Sequence, residues 1–223
     1  MDPLEPYREA IRAHGPSFEA TLWASREWQM DRFAVIADMV DLSGRVIIDA
    51  GCALADLAEF LDTARIPYGR YIGLEALPEL ASAARARRLP ETEIVEGDFG
   101  SDPDALARLI REHRAEVVIF SGALNTFEQD AALEVLDRAH EALFGAGGTG
   151  RGERRGEAGG EALVFNFLSS RNHRSPGPPS PAKRFDPVAV LDWALERTPN
   201  VRFRQDYFDG HDATVAMLPP PGG

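Results

Sequence analysis

The stretch VIIDAGCALADL, residues 46–57, decides the fold class of this chain. It starts with apolar, mostly β-branched residues, which are typical of a strand buried on both faces of a sheet. Asp49 and Gly51 end this run, and glycine allows a sharp turn that other residues rarely adopt. The stretch therefore predicts a buried strand, a tight loop and the start of a helix. The amides of such a loop can hold an anionic ligand.

The same alternation continues along the chain. Apolar runs lie at residues 45–50, 70–75, 92–97 and 115–122, and helical segments lie near 54–64, 77–88, 103–113 and 128–144. A further run at 161–170, a helix near 187–198 and strands at 201–208 and 212–218 follow. Continuous apolar strands that alternate with helices predict a mostly parallel sheet covered on both faces. We therefore expect a doubly wound α/β fold whose last two strands pair antiparallel at the sheet edge.

Two parts of the chain stand outside this alternation. Residues 1–44 contain two helical segments divided by Gly15-Pro16, and we expect a helical extension to the domain formed by residues 45–223. Residues 145–160 are rich in glycine and lack apolar periodicity, so we expect a flexible loop. A phosphate-binding loop is the alternative, but the Lys-Ser/Thr end of such loops is missing.

The composition narrows the classes of partner. The chain has 36 acidic and 24 basic residues, whereas proteins that bind duplexes or membrane surfaces usually present a basic footprint. Cys52 is the only cysteine, which excludes an internal disulfide and fits a reducing compartment. The first residues do not resemble a signal peptide, and no apolar run is long enough to span a membrane. We expect a cytoplasmic protein without nucleic-acid or membrane partners.

Polar and small residues end each of the first four strands. In an open parallel sheet, ligands bind beyond the carboxyl ends of the strands, near the point where the strand order reverses. Glu75, at the end of the second strand, suits the two hydroxyls of a ribose. Asp98 can accept a hydrogen bond from an adenine amino group, and Phe99 offers an apolar face to the ring. Each signal is weak alone, but their order along the chain is informative.

These motifs resemble a known family. VIIDAGCALADL, YIGLEAL, IVEGDFG and VVIFSGALN are similar to the successive cofactor motifs of class I S-adenosylmethionine-dependent methyltransferases, over roughly residues 45–125. The fifth strand FNFLS and the tail from Phe185 to Leu218 resemble a poorly characterised bacterial branch of that family. The resemblance implies a Rossmann-like, seven-stranded sheet closed by an antiparallel strand. It also implies S-adenosylmethionine (SAM) as the cofactor.

The resemblance assigns one part of the cofactor to each strand end. In chain order, the methionine part falls to Asp49 and Gly51, the ribose to Glu75, the adenine to Asp98 and Phe99, and the methionine end with its methyl group to Ser121 and Gly122. Cys52 lies in the first motif, where we interpret it as a small packing residue because no histidine is near it in sequence.

Two alanines depart from the family pattern, which commonly has glycine at both positions. Ala53 lies where the backbone comes closest to the cofactor, so its methyl group threatens binding. If this position needs a positive φ, alanine costs roughly 1–2 kcal/mol. We expect Ala55 to lie inside the following helix, where alanine is favoured over glycine by about 1 kcal/mol. Only Ala53 therefore threatens cofactor binding, and we expect the loop still to bind the cofactor.

The candidates for catalysis are polar residues that follow the fourth and fifth strands. Asn125 is placed to contact the methyl acceptor or, alternatively, to cap the next helix. His173 follows the fifth strand and is the second candidate, with solvent exposure as its alternative; His211 and Tyr207 in the terminal turn carry no more weight. Methyl transfer needs a base only when the acceptor must lose its proton early. No residues show metal-ligand spacing, so we expect no metal.

Three functions compete. The first is methyl transfer to a small molecule, and the second is a catalytically silent binding or scaffold protein with the same fold. The third, a nicotinamide-dependent oxidoreductase, is disfavoured because the loop from Gly51 to Ala55 lacks the G-x-G-x-x-G spacing. The tryptophans Trp23 and Trp28 form either a lid over the cofactor or simple packing of an N-terminal helix.

Overall fold

The computed structural model describes residues 2–145, 160–173 and 180–220. The predicted flexible loop at 145–160 lies outside the described residues, except for its first and last positions. The strands are β1 Val46–Ala50, β2 Arg70–Glu75, β3 Thr92–Glu96, β4 Val117–Phe120, β5 Ala162–Ser169, β6 Arg184–Phe185, β7 Val201–Arg204 and β8 Asp212–Met217. The helices are α1 Glu5–His14, α2 Arg26–Met39, α3 Asp56–Thr63, α4 Pro78–Ala86, α5 Ala105–His113, α6 Gln129–Phe144 and α7 Pro187–Arg197, with two short 3-10 helices at Phe18–Thr21 and Phe208–Gly210.

One mixed sheet forms the centre of the molecule, in the strand order β3-β2-β1-β4-β5-β8-β7, with β6 paired to the end of β5. All neighbours run parallel except β8, which is antiparallel to both β5 and β7. The predicted Rossmann-like, doubly wound fold with an antiparallel terminal strand is confirmed. The chain leaves β1 in one direction and returns at β4 on its other side, so the strand order reverses between these two strands.

Helices cover both faces of the sheet because successive side chains of each strand point to opposite sides. Ile48 of β1 and Phe120 of β4 pack with helices α5, α6 and α7 on one face. Ile47 and Ile119 pack with α2, α3 and α4 on the other. The continuous apolar runs in the sequence are therefore strands buried on both sides, as expected for a parallel sheet.

The sheet has eight strands where the sequence predicts seven, because Arg184 and Phe185 add a two-residue strand beside the end of β5. The predicted strand 201–208 is shorter, since β7 ends at Arg204. The following Gln205 side chain donates hydrogen bonds to Ser169 Oγ and to the carbonyl oxygens of Arg171 and Gly210. These bonds turn the chain toward the carboxyl end of β5.

The N-terminal segment also differs in detail from the sequence prediction. The sequence predicts two helical segments divided only by Gly15-Pro16, but a 3-10 helix at Phe18–Thr21 follows this break and α2 begins at Arg26. Ser25 caps α2, because its side chain accepts a hydrogen bond from the amide of Trp28 at 3.2 Å. Within the described residues, no helix combines the length and the apolar character that a membrane crossing requires.

Candidate functional site

A cavity of about 750 Å³ opens at the carboxyl ends of the first four strands, where the strand order reverses. Of the ten residues predicted for cofactor and acceptor, eight line it: Gly51, Ala53, Glu75, Asp98, Phe99, Ser121, Gly122 and Asn125. Asp49 lies beneath the first loop and His173 lies outside the cavity wall. The sheet thus brings the four strand ends together around one space.

Gly51 begins the first loop in a left-handed conformation and at a position without room for a side chain. Its φ is +79°, and a Cβ built at this position would lie 2.6 Å from the Cβ of Ala123. The loop is also tied to the next strand, because the amides of Gly51 and Cys52 both donate to the carbonyl oxygen of Leu74, at 2.8 and 3.1 Å. The close approach of the loops after β1 and β4 therefore depends on the missing side chain at Gly51.

Both alanines that depart from the glycine pattern adopt left-handed backbone conformations. Ala53 has φ +47° and Ala55 has φ +59°. The prediction that Ala55 lies inside the helix is wrong, because it is the N-cap residue and α3 begins at Asp56. A left-handed conformation costs a residue with a Cβ roughly 1–2 kcal/mol, so two positions of this loop are strained, not one.

Glu75 joins the first loop to the second strand end. Its Oε2 accepts the amide of Ala53 and its Oε1 accepts the amide of Leu77, each at 2.8 Å. Burial raises the pKa of this carboxyl group, while the hydrogen bonds from the amides of Leu77, Ala53 and Ala76 act in the opposite direction. Each oxygen keeps a second lone pair, so the group remains able to accept hydrogen bonds from a ligand in the cavity.

Asp49 supports the loop from below. It is buried, and its carboxyl group accepts a hydrogen bond from the Tyr71 hydroxyl. Burial raises the pKa of Asp49 to about 7, the hydrogen bond from Tyr71 lowers it, and the negative charge of Glu75 raises it further. Asp49 is therefore a buried residue at the end of β1, paired with β2, rather than part of the cavity wall.

Cys52 fills a space on the opposite side of this loop. A Cβ at Gly73 of β2 would lie 2.5 Å from the Cys52 sulfur, so the two residues fit only because Gly73 has no side chain. Burial raises the pKa of the Cys52 thiol well above its ordinary value. The interpretation of Cys52 as a packing residue is confirmed.

The third strand end forms a compact turn with an aromatic neighbourhood. Both carboxylate oxygens of Asp98 accept local hydrogen bonds, from the Gly100 amide at 2.8 Å and the Ser101 hydroxyl at 2.7 Å. The Phe99 ring meets Phe120 edge-on and stacks near Phe127 with centroids 5.9 Å apart. These contacts fix the orientation of Phe99 in the cavity wall.

The fourth strand end is held by a residue that the sequence reading missed. Gly122 has φ +75°, and its amide donates to Oδ1 of Asn166 at 2.7 Å. Asn166 lies within β5, where it is almost fully buried between two phenylalanines of the sequence FNF. A lone amide in an otherwise apolar strand is the signal that could have identified it, since buried polar groups are hydrogen-bonded.

The N-terminal segment covers the cavity. Trp23 lies over Gly122, where an added Cβ would come within 3.1 Å of the indole ring. Trp23 also meets Phe33 of α2 edge-on, and the Arg32 guanidinium lies over its ring at 4.3 Å. Tyr7 of α1 lines the same cavity, and burial, followed by the charge of Glu75, raises its pKa to about 12. The tryptophan therefore both packs the segment and lines the site.

Asn125 lines the cavity, and α6 begins only at Gln129, with Glu128 as its N-cap residue. Asn125 therefore does not cap that helix. Its side-chain oxygen is buried without a hydrogen-bond partner among the described residues, which is unusual for a native amide. The backbone carbonyl of Asn125 accepts the amide of Lys183 at 2.6 Å, which holds this loop against β6.

The two histidines near the site have different surroundings. His173 is exposed, and its backbone amide donates to the carbonyl oxygen of Asp209. His211 instead lines the cavity, and its Nδ1 lies 2.7 Å from Oδ1 of the buried Asp212. Across the described ranges, no cluster of His, Cys, Asp and Glu side chains is arranged to hold a metal ion.

The sequence and the structure differ in what they match among known proteins. No family model and no curated protein matches the sequence. Solved structures do match: a SAM-dependent methyltransferase from Aquifex aeolicus has a TM-score of 0.57 at 12% identity, with 98% of each chain covered. The DhpI–SAH complex has a TM-score of 0.61 at 12% identity, with 99% of this chain and 96% of that chain covered.

A third match, the mitomycin 7-O-methyltransferase MmcR, has a TM-score of 0.59 at 16% identity, with 95% of this chain and 60% of that chain covered. A small RNA methyltransferase is among the matched structures as well. At such identities the likeness is one of fold. The chain has the fold of the class I SAM-dependent methyltransferases.

Proposed function

We propose that this protein is a SAM-dependent methyltransferase that acts on a small molecule by in-line transfer. The observation that carries the proposal is the meeting of four strand ends, each with a residue suited to one part of SAM, around a single cavity of about 750 Å³. A cavity of this size lies within the range of small-molecule sites. Two of the matched structures, a SAM-dependent methyltransferase and a complex with SAH, support the same class of cofactor.

The residues present fit the cofactor. Glu75 lines the cavity with a carboxylate that is already oriented by two amides, which suits the ribose hydroxyls. The fixed ring of Phe99 suits the adenine face, with Asp98 beside it. Gly51 and Gly122 line the cavity without side chains, which would suit the methionine part of the cofactor. When bound, SAM would supply a methyl group on a sulfonium sulfur.

For the acceptor we assign Asn125. Its buried side-chain oxygen has no partner among the described residues, so an N–H or O–H group of an acceptor would satisfy it. Holding the acceptor in line with the methyl group lowers the barrier by fixing orientation in advance. We give His173 no role in this proposal because it is exposed and does not line the cavity.

The covering segment favours a small acceptor over a polymer. We propose that residues 1–44 act as a lid, since Tyr7, Trp23 and Trp28 line the cavity from this side. The formal net charge of −12 also disfavours a nucleic-acid strand, which binds basic surfaces. Cytoplasmic location remains part of the proposal, on the ground of the single cysteine.

A silent relative of the enzymes is the second candidate. The specific observation in its favour is the strain at Ala53 and Ala55, at positions where active family members commonly have glycine. A loop that no longer needs the cofactor would tolerate such substitutions. This candidate predicts weak or absent SAM binding.

Thermal unfolding with added ligand separates the candidates. A ligand present at about 100 times its dissociation constant stabilises a protein by roughly 2.7 kcal/mol. We expect a rise in melting temperature with SAM and with its demethylated product, and none with NAD. No rise with either sulfur compound would refute SAM binding. A rise without methyl transfer to any acceptor, including RNA, would favour the silent candidate.

Glu75→Gln provides the matched binding variant. One carboxylate oxygen becomes an amide that faces a backbone N–H, so the ligand-induced rise should shrink by more than the change in the unliganded melting temperature. Arg108→Ala, on the exposed face of α5, is the control and should leave the ligand-induced rise unchanged. Equal rises in all three proteins would show that the ligand binds elsewhere.

A further inference from the structure

His211, which precedes β8, lies in an arrangement that fixes its ring. Its Nδ1 is 2.7 Å from Oδ1 of Asp212, and the ring meets Trp28 edge-on with centroids 5.7 Å apart. The side chain is 16% exposed and lines the cavity described above. Because Asp212 occupies Nδ1, Nε2 is the ring nitrogen that remains for a polar group in this cavity.

Asp212 is a fully buried carboxylate that is held ionised. Burial raises its pKa, but the hydrogen bond with His211 and the adjacent guanidinium of Arg32 act in the opposite direction, and the net pKa is lowered. The ion pair between Arg32 and Asp212 is itself buried. An ionised carboxylate can only accept hydrogen bonds. His211 must therefore carry a proton on Nδ1, which leaves a lone pair on Nε2 in the neutral ring.

The charged groups around His211 come from two elements. Asp212 belongs to β8, and Arg32 reaches the same carboxylate from α2. Tyr207, ahead of the terminal turn, also lies close to Asp212, and its hydroxyl is paired with Thr214 Oγ1. Arg32 balances the charge of Asp212, so proton uptake at Nε2 adds one positive charge beside a neutralised pair.

We propose that His211 is the base of this site, and that the methyl acceptor is a small molecule with a weakly acidic hydroxyl group, such as a phenol. The inference rests on the proposed function. The hydroxyl proton moves to Nε2 of His211 as the oxygen attacks the methyl carbon. The bond from that carbon to sulfur breaks, and its electron pair stays on the sulfur. A neutral thioether, a methyl ether and a protonated imidazole result.

A phenol fits this site better than an amine or a thiol. An amine attacks through its own lone pair and loses its proton afterwards, and a thiol ionises readily near neutral pH, so neither needs a fixed base. Asn125 lines the same cavity, and its buried side-chain oxygen has no hydrogen-bond partner among the described residues, so this residue would orient a second polar hydrogen of the acceptor. Arg32 and Asp212 act through His211 and are positioning residues.

The first test measures the tautomer of His211 in the protein itself. Nitrogen NMR of histidine-labelled protein at about pH 8 should show the Nδ1–H tautomer, whose Nε2 is unprotonated, because Asp212 accepts from Nδ1. His211→Gln identifies the signal by its disappearance. A neutral His211 with its proton on Nε2 would overturn the proposal. This measurement needs neither SAM nor an acceptor.

The second test measures methyl transfer from SAM to phenols of graded acidity. His211→Gln should slow transfer to 4-methoxyphenol by about a hundred- to ten-thousand-fold, the usual contribution of general-base catalysis. Transfer to 4-nitrophenol, which is largely ionised at about pH 8, should fall much less. The matched control is His113→Gln at the end of α5, a residue that does not line the cavity, which should change neither rate.

Several outcomes of this test would overturn the proposal. Equal losses for both phenols would indicate a structural role for His211. Transfer only to thiols or anilines, or to no phenol by a protein that binds SAM, would refute the acceptor class. The SAM-induced rise in melting temperature should be the same in the wild type and in His211→Gln, so a failure of SAM binding is distinguished from a failure of this inference.

Discussion

The loops after β1 and β4 flank the same cavity, but they are stabilised in different ways. Each contains a glycine with positive φ, Gly51 at +79° and Gly122 at +75°. The first loop then places two alanines in left-handed conformations and is held by the carboxylate of Glu75. The second is held by the uncharged amide of Asn166 from the neighbouring strand. One loop is strained and held by an acid, whereas the other is held by a neutral group.

The comparison shows that a sequence motif can be recognised while the residue that holds its loop in place is not. The first loop is supported by a strand end that also carries a motif, so sequence reasoning found both partners. The support of the second loop comes from residue 166, far along the chain from Gly122, in the middle of an apolar run. Variants of each loop, and of the residue that holds it, test whether this difference affects stability and SAM binding.

The largest effect is expected from Gly51→Ala. The new Cβ would lie 2.6 Å from that of Ala123, and it would also force a left-handed conformation on alanine. Strain of roughly 1–2 kcal/mol and overpacking of roughly 1–3 kcal/mol together predict a loss of several kcal/mol in the free energy of unfolding, measured by denaturant titration.

A matched control separates these two causes. Gly44 has φ +69°, but a Cβ there would meet no atom within 4 Å. Gly44→Ala should therefore lose only the backbone part, about 1 kcal/mol. Equal losses in the two variants would mean that the loops after β1 and β4 do not press against each other.

The second-largest effect is expected from Asn166→Ala. The partly buried amide of Gly122 would lose its acceptor, which costs about 1–3 kcal/mol in the free energy of unfolding. Because Gly122 lines the cavity, the affinity for SAM in calorimetry should fall as well. Asn200→Ala, at the start of β7, is a control that removes another partly buried amide away from the cavity. Unchanged SAM affinity in Asn166→Ala would show that this support is structural only.

The pH dependence of stability tests the acid beneath the first loop. Burial raises the pKa of Asp49 to about 7, above its ordinary value of 3.8, so the folded protein binds this proton more tightly than the unfolded chain does. The contribution of Asp49 is therefore fully present below pH 3.8 and is lost as the pH rises toward about 7. Asp49→Asn should flatten the fall in the free energy of unfolding across that window.

The control for this prediction is an acid at the surface, Asp102. The hydrogen bond from Arg108 lowers the pKa of Asp102 below its ordinary value of 3.8, so Asp102→Asn should leave the slope between pH 3.8 and about 7 as it is. An unchanged slope in Asp49→Asn would mean that the carboxyl group is accessible to water.

The sequence predicts features that depend on neighbouring residues, but it does not predict contacts between residues that are far apart along the chain. The fold followed from period and composition, because strands buried on both faces must be apolar throughout. The conformation of Ala55 could not be predicted, because the helix begins two residues later than the predicted segment 54–64. The ion pair between Arg32 and Asp212 was equally hidden, since the two residues lie far apart along the chain. Contacts between distant residues leave no local pattern.

The smallest effects are expected at the two strained alanines, and they sharpen the contrast between the loops. Ala53→Gly and Ala55→Gly each relieve roughly 1–2 kcal/mol of strain and each lose about 0.4–1 kcal/mol through the greater freedom of the unfolded chain. Ala55 is fully buried in the core between α2 and α3, so its methyl group contributes about 0.8 kcal/mol that glycine lacks. Ala53 is only partly buried. Denaturant titration should therefore show a gain of about 0.5–1 kcal/mol for Ala53→Gly and almost none for Ala55→Gly.

A larger gain for Ala55→Gly would place the strain of the loop at the helix start rather than at the cavity. Tighter SAM binding by Ala53→Gly alone would show that its methyl group intrudes on the cofactor, which is the feature that separates this loop from the relaxed one after β4.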